Sequence, residues 1–141
     1  MNRREFSLMV SAASLLGVSA EGQSSGAAQL VSGVYPAGKE HKAGEGRVSQ
    51  AFLTGMLQPT LRLEAHETVI EPGAPPEETR NHLHNEIWLM KAGTVELMAD
   101  GVKHVMKAGD LGLVVAGGMH SVKNIGTDRA SYFVLAVGPP E

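Results

Sequence analysis

Short apolar runs, cut at close intervals by glycine-containing turns, constrain this chain more than any other feature of its sequence. Glycine supplies 17 of its 141 residues, against about 7% in ordinary usage. From Arg47 onward the glycines separate segments too short to form packed helices. The segments 48–56, 61–70, 86–91, 94–98, 102–106, 111–115, 121–125 and 131–137 read as strands. Between them stand turn formers such as Glu71-Pro72-Gly73, Ala92-Gly93, Ala108-Gly109-Asp110, Gly117-Gly118 and Gly126-Thr127-Asp128, where proline presets φ and glycine accepts a positive φ. Asp100-Gly101 predicts a tight two-residue hairpin. Eight short strands in about ninety residues predict an all-β sandwich or barrel.

Composition narrows the function classes. Hydrophobic residues make up 43% of the chain and charged residues 19%, an ordinary globular balance for one domain. The formal charge of −3 and the scattered lysines and arginines lack the basic stripe of a nucleic-acid binder. No cysteine is present, so neither a disulfide framework nor thiolate metal ligation is available.

The first twenty residues are of another kind. Asn2-Arg3-Arg4-Glu5-Phe6 has the form of a twin-arginine n-region, residues 8–18 supply an apolar core, and Val18-Ser19-Ala20 resembles a small-residue cleavage site. Residues 1–20 are therefore expected to be a bacterial twin-arginine export signal, giving a periplasmic or secreted protein. The apolar run is shorter than the ~20 residues that span a bilayer, so no stable membrane insertion is expected after signal removal. Residues 21–46, rich in Gly, Ser and Ala and carrying Pro36, read as a linker and an N-terminal arm. The folded domain is expected over 47–141.

Two stretches carry the chemistry. One is Asn81-His82-Leu83-His84-Asn85-Glu86, closed by Gly93; the other holds Gly109, Gly117, His120 and Asn124. Imidazole and carboxylate together suit Fe, Mn, Zn, Ni or Cu, and such ligands usually arrive from separate strands of a rigid scaffold. The order and spacing of these residues resemble the two motifs of the cupin family. Its first motif ends in Glu, six residues and Gly, as in Glu86 and Gly93. Its second motif has Gly, Pro, Gly, His and Asn at offsets matched by Gly109, Gly117, His120 and Asn124, with Val115 in place of the proline. The resemblance implies a single-domain double-stranded β-helix, or jelly-roll barrel, and one divalent transition metal.

The first motif departs from the family pattern. Counting back from Glu86 places His82 on the second expected histidine and Arg80 on the first; the other register pairs His82 with His84 and shortens the connection to Glu86. Residues two apart on a strand point to one face about 6.6 Å apart, so His82 and His84 can share an ion. His82 and Glu86 would be about 13 Å apart on a straight strand, so both can bind only if the chain turns across 83–85, a turn that Asn85 could support. The expected ligands are His82, His84, Glu86 and His120. If Glu86 met no cation it could pair with Arg80 instead.

Other residues admit a functional and a structural reading. Arg80 could clamp a substrate carboxylate or stand as an exposed charge. Trp88 and Met90 share parity with Glu86 and could line the substrate pocket or simply pack the core. Thr79, Met98, Val122 and Phe133 are weaker lining positions, and His41, His66 and His104 read as surface or core histidines. The resemblance implies a metal-dependent enzyme, with a dioxygenase-like oxidoreductase acting on a small oxygenated organic molecule as the leading reading. Glu86 or His84 would carry any proton transfer. A non-catalytic binder of a small ligand or metal, or a cupin isomerase or lyase, is the alternative, and the resemblance also implies a homodimer.

Overall fold

The computed structural model describes residues 27–141. The expected signal over 1–20, and the start of the arm, lie outside the described residues. These form an all-β jelly roll of nine antiparallel strands: β1 (Glu40–Gly44), β2 (Arg47–Gln58), β3 (Leu61–Ile70), β4 (Asn85–Ala92), β5 (Thr94–Ala99), β6 (Val102–Lys107), β7 (Leu111–Val114), β8 (His120–Asn124) and β9 (Ala130–Gly138). One sheet has the order β1-β2-β3-β9-β4-β7 and faces a smaller sheet, β6-β5-β8. Among the described residues no helix is long and apolar enough to cross a membrane.

All eight expected strands are present, with ends shifted by at most a residue or two. The unexpected one, β1, lies in the stretch read as an arm and pairs with β2 in the register Glu40↔Gln50 and Lys42↔Val48. Its sequence, Glu-His-Lys-Ala-Gly, has no apolar alternation because every residue of it is exposed. Asp100 and Gly101 take φ of 49° and 80° between β5 and β6, the positive pair that a type I′ hairpin requires.

Alternation decides which side chains fill the space between the sheets. The large sheet contributes Ile70, Trp88, Met90, Val114, Tyr132 and Val134, and the small sheet Val95, Leu97, Met106 and Val122. Each fully buried aliphatic side chain of this kind contributes roughly 1.5–3 kcal/mol. The two sheets are stitched at one end by Asn124, whose Nδ2 donates to Ile70 O (2.9 Å) and Asp128 O (2.8 Å) while its Oδ1 accepts from Gly126 N (2.9 Å).

At the turn between β4 and β5, Gly93 has φ of 75°, and a Cβ there would lie 2.5 Å from Arg129 O and 2.6 Å from Ala130 Cα. Gly101 has a similar φ with nothing within 4 Å. Gly101→Ala should therefore cost only the left-handed strain, roughly 1–2 kcal/mol. Gly93→Ala should cost a further ~1–3 kcal/mol from overpacking. Urea unfolding of the two variants checks this; equal losses would show that the contact with β9 does not constrain the turn.

Candidate metal centre

The loop before β4 carries two of the expected ligands, and its path is set by its neighbours. Arg80 and His120 exchange both backbone hydrogen bonds (Arg80 N to His120 O 3.0 Å, His120 N to Arg80 O 2.8 Å), and Gly117 N donates to His82 O at 2.7 Å. Asn85 closes the loop from the other side, accepting from Ala116 N at 3.0 Å and donating to Val137 O at 3.3 Å. Between these ties the chain bends at Leu83 and His84, as the shared reach of His82 and Glu86 requires. Gly138 permits the bend: a Cβ there would sit 2.6 Å from His84 Cα.

The bend turns His84 inward and packs its ring against that of His82, with centroids 4.5 Å apart and planes at 13°. His82, His84 and Glu86 each present a ligand atom within 4.8 Å of the others. His84 Nε2 lies 3.2 Å from Glu86 Oε1 and His82 Nε2 3.9 Å from the same oxygen. His120, 3% exposed, reaches Glu86 Oε2 with its Nε2 at 3.2 Å, because its Nδ1 is taken by Gly118 O at 3.0 Å. Trp88 Nε1 donates to Glu86 Oε2 at 3.1 Å, which fixes the carboxylate from below.

Ligand atoms around an ion with bonds of about 2.0–2.2 Å lie roughly 3–3.5 Å apart. The separations of His84 and His120 from the Glu86 oxygens fall in that range and that of His82 just beyond it. The nitrogens and oxygen of His82, His84 and Glu86, mutually within 4.8 Å, form a set that suits a divalent first-row transition metal; His120 falls outside that mutual set and meets it through Glu86 Oε2. Glu141 stands behind it: its carboxylate lies 3.4 Å from His82 Nδ1 and 3.2 Å from His84 Nδ1 and accepts from Leu83 N. The approach to His84 is off the axis of a hydrogen bond, so that Nδ1 is buried without a directed partner.

Electrostatics favour a charged centre. Burial pushes the Glu86 carboxyl up, but the His120 hydrogen bond, reinforced by His84 and His82, outweighs it and holds the group below the usual glutamate value. Glu86 in turn raises His120 above the usual imidazole value, against the opposing effect of burial.

His82, Glu86, Trp88 and His120 open onto a cavity of about 270 Å³ between the sheets. Arg80 also lines it, but is half-exposed and paired with Glu77 at 3.4 Å, not with Glu86. Met90, expected beside Trp88, does not line the cavity. It is 2% exposed and packed in the hydrophobic core, because each step along β4 toward Ala92 moves away from the open end. Thr79, Met98, Val122 and Phe133 are also absent from the lining. Phe133 faces the other side of the sheet, where it meets Phe52 at 5.5 Å, while its neighbours Tyr132 and Val134 face inward.

Sequence reasoning missed the part of the lining that β2 and β3 supply. Arg47, Ser49, Glu64, His66 and Thr68 from β2 and β3 line the cavity, and His66, read as an ordinary core or surface histidine, is among them. The signal available was parity: Glu64, His66 and Thr68 alternate along β3 on one face. Glu64 is held at about 2 by His66 beside it, opposed by burial and reinforced by Arg62, whose Nη2 lies 2.7 Å away. His66 Nδ1, at 3.6 Å from Glu64 Oε1, is too far for a hydrogen bond.

This lowered value has a consequence for acid stability. A carboxyl depressed in the folded state stabilises fully above its unfolded pKa, near 4.5, and loses that contribution as pH falls toward about 2. Discounted for partial exposure, the contribution is about 1–2 kcal/mol. Glu64→Gln should lower stability by that amount near neutrality and flatten the loss between the two values. Urea unfolding across this pH range measures it, and a variant profile parallel to that of the unaltered protein would contradict the assignment.

Comparison with known proteins agrees with this architecture. Residues 66–137 match the family model described as a cupin domain. Among solved structures the chain is similar to an RmlC-like cupin from Shewanella frigidimarina, with a TM-score of 0.60 and 20% identity over 74% of this chain and 86% of that one. It is similar to KdgF from Halomonas sp., with a TM-score of 0.60 and 19% identity over 73% of this chain and 89% of that one. It is also similar to AerE from Microcystis aeruginosa, with a TM-score of 0.62 and 22% identity over 73% of this chain and 46% of that one. At these identities the likeness extends to the fold alone. No curated protein matches the sequence.

Proposed function

The chain belongs to the cupin family, and from that premise we propose that it is an exported metal-dependent enzyme, an oxidoreductase acting on a small oxygenated organic molecule. The observation that carries the proposal is the convergence of three imidazole nitrogens on one buried carboxylate at the wall of a cavity. His82, His84, Glu86 and His120 would hold one divalent transition metal. When bound, such an ion supplies Lewis acidity and, if redox-active, oxygen chemistry.

The chain's own residues account for the rest of the arrangement. His82, Glu86 and His120 line the cavity and His84 does not, so a ligand entering from the cavity meets one side of the centre while His84 backs it. Gly118 O fixes the His120 ring and Trp88 fixes Glu86, an outer support of the kind that orients metal ligands. Glu86, ionised and hydrogen-bonded to imidazole, is placed to accept a proton from a bound substrate. Val134, Ala136 and Trp88 supply the apolar part of a lining that is otherwise mostly polar.

His84→Ala and His120→Ala should each lower metal affinity at least about tenfold, the usual scale for disturbing a metal site. Elemental analysis and chelator competition on protein from its native compartment measure this. Unchanged stoichiometric metal in both variants would remove the metal reading.

Export is supported by Asn2-Arg3-Arg4-Glu5-Phe6 and the apolar run after it. Replacing Arg3 and Arg4 together by Lys should leave the protein in the cytoplasm, read by cell fractionation. Normal export of that variant would reject the twin-arginine assignment.

A further inference from the structure

The same cavity contains a charge, carried by β2, that the proposed metal chemistry does not use. Arg47 is 7% exposed and lines the same cavity as His82, Glu86 and His120. Its Nη2 donates to Val122 O at 3.2 Å, its Nε has no hydrogen-bond partner, and among the described residues no carboxylate lies within ion-pair distance of it. Every other acid at the cavity is engaged. Arg80 occupies Glu77 at 3.4 Å, Arg62 and His66 occupy Glu64, and the imidazoles occupy Glu86.

A buried guanidinium is strongly disfavoured without a partner anion. A salt-bridging Arg also offers a planar fork that matches a carboxylate in two-point contact. Carbonyl acceptance by Val122 satisfies one donor and leaves the charge uncompensated. The surroundings are polar: Ser49 and Thr68, hydrogen-bonded to each other at 3.4 Å, line the same cavity, and burial keeps the Tyr132 phenol protonated by pushing its pKa up. Val122 is two residues from His120 on β8, about 6.6 Å along the strand. One short molecule can therefore reach both the Arg47 guanidinium, bonded to Val122 O, and the side chain of His120 on the same strand.

We propose that the cavity takes a small organic acid whose carboxylate is held by Arg47 while its other oxygens face the His82, Glu86 and His120 wall. This rests on the reading of the cavity as the ligand site given above and names the class of ligand. Arg47, not Arg80, is the specificity-determining cation, because Arg80 is half-exposed and already paired.

Calorimetric titration of the full-length, metal-loaded protein with acetate, pyruvate, malonate and succinate, each against its neutral amide, tests the proposal. At least one acid should bind, and its amide should bind at least tenfold more weakly. Arg47→Met should weaken the acid at least tenfold, leave metal content unchanged, and unfold at an equal or higher urea concentration, since it removes an uncompensated buried charge. Arg47→Gln, which keeps a donor without the charge, carries the same comparison if the methionine variant does not fold. Binding of acid and amide alike, equal acid binding with and without Arg47, or binding of none of the four acids would overturn it. Metal content on the same samples separates the two ideas. Retained metal without acid selectivity refutes the role of Arg47 alone, whereas absent metal with selective acid binding refutes the metal centre and leaves the anion site standing.

Discussion

The register of β9 between β3 and β4 is the constraint on which the site depends. Glu64 and Glu86 are both paired with Ala136, His66 and Trp88 with Val134, and Thr68 and Met90 with Tyr132. Inward side chains of β3 and β4 therefore stand about 9.5 Å apart across one residue of β9, and a slip of one residue would turn the whole set outward. Because Ala136 is small, the space over it opens into the cavity, which Val134 and Tyr132 also line, whereas Met90 beside Tyr132 packs in the core.

Within that frame, Glu86 is the electrostatic centre. Its burial would favour a neutral acid, yet three imidazoles and an indole N–H surround it and keep it ionised. The nitrogens that stabilise the carboxylate as donors are the ones that would serve as ligands, so metal binding would compete with protons for the same positions. The bend at His84 makes this possible. It is held by the exchange between Arg80 and His120, by Asn85, and by the close approach of Gly138, and the partners His120, Ala116, Val137 and Gly138 all come from segments distant in the chain.

The arginines show how little residue type alone settles. Arg80 occupies a motif position and attracts a functional reading, but its backbone ties the loop to β8 and its side chain pairs with Glu77. Arg47 begins β2, in no motif, and faces the cavity with its charge unmatched. The difference comes from what each side chain meets across the barrel.

The strands, most of the turns and the ligand types were legible in the sequence, because period-two alternation, positive-φ glycines and the spacing of Glu86, Gly93, His120 and Asn124 are local properties. The sequence could not show β1, whose exposed residues carry no apolar pattern. Nor could it choose between the two histidine registers, exclude Met90 from the cavity, or bring His66 and Arg47 into it. Those outcomes belong to the tertiary structure, because each depends on a pairing between segments distant in the chain: β9 with β3 and β4, the loop at Arg80 with β8, and Arg47 with Val122. Only the closed pair of sheets sets which inward-facing side chains share one space, and which of their charges remain unbalanced there.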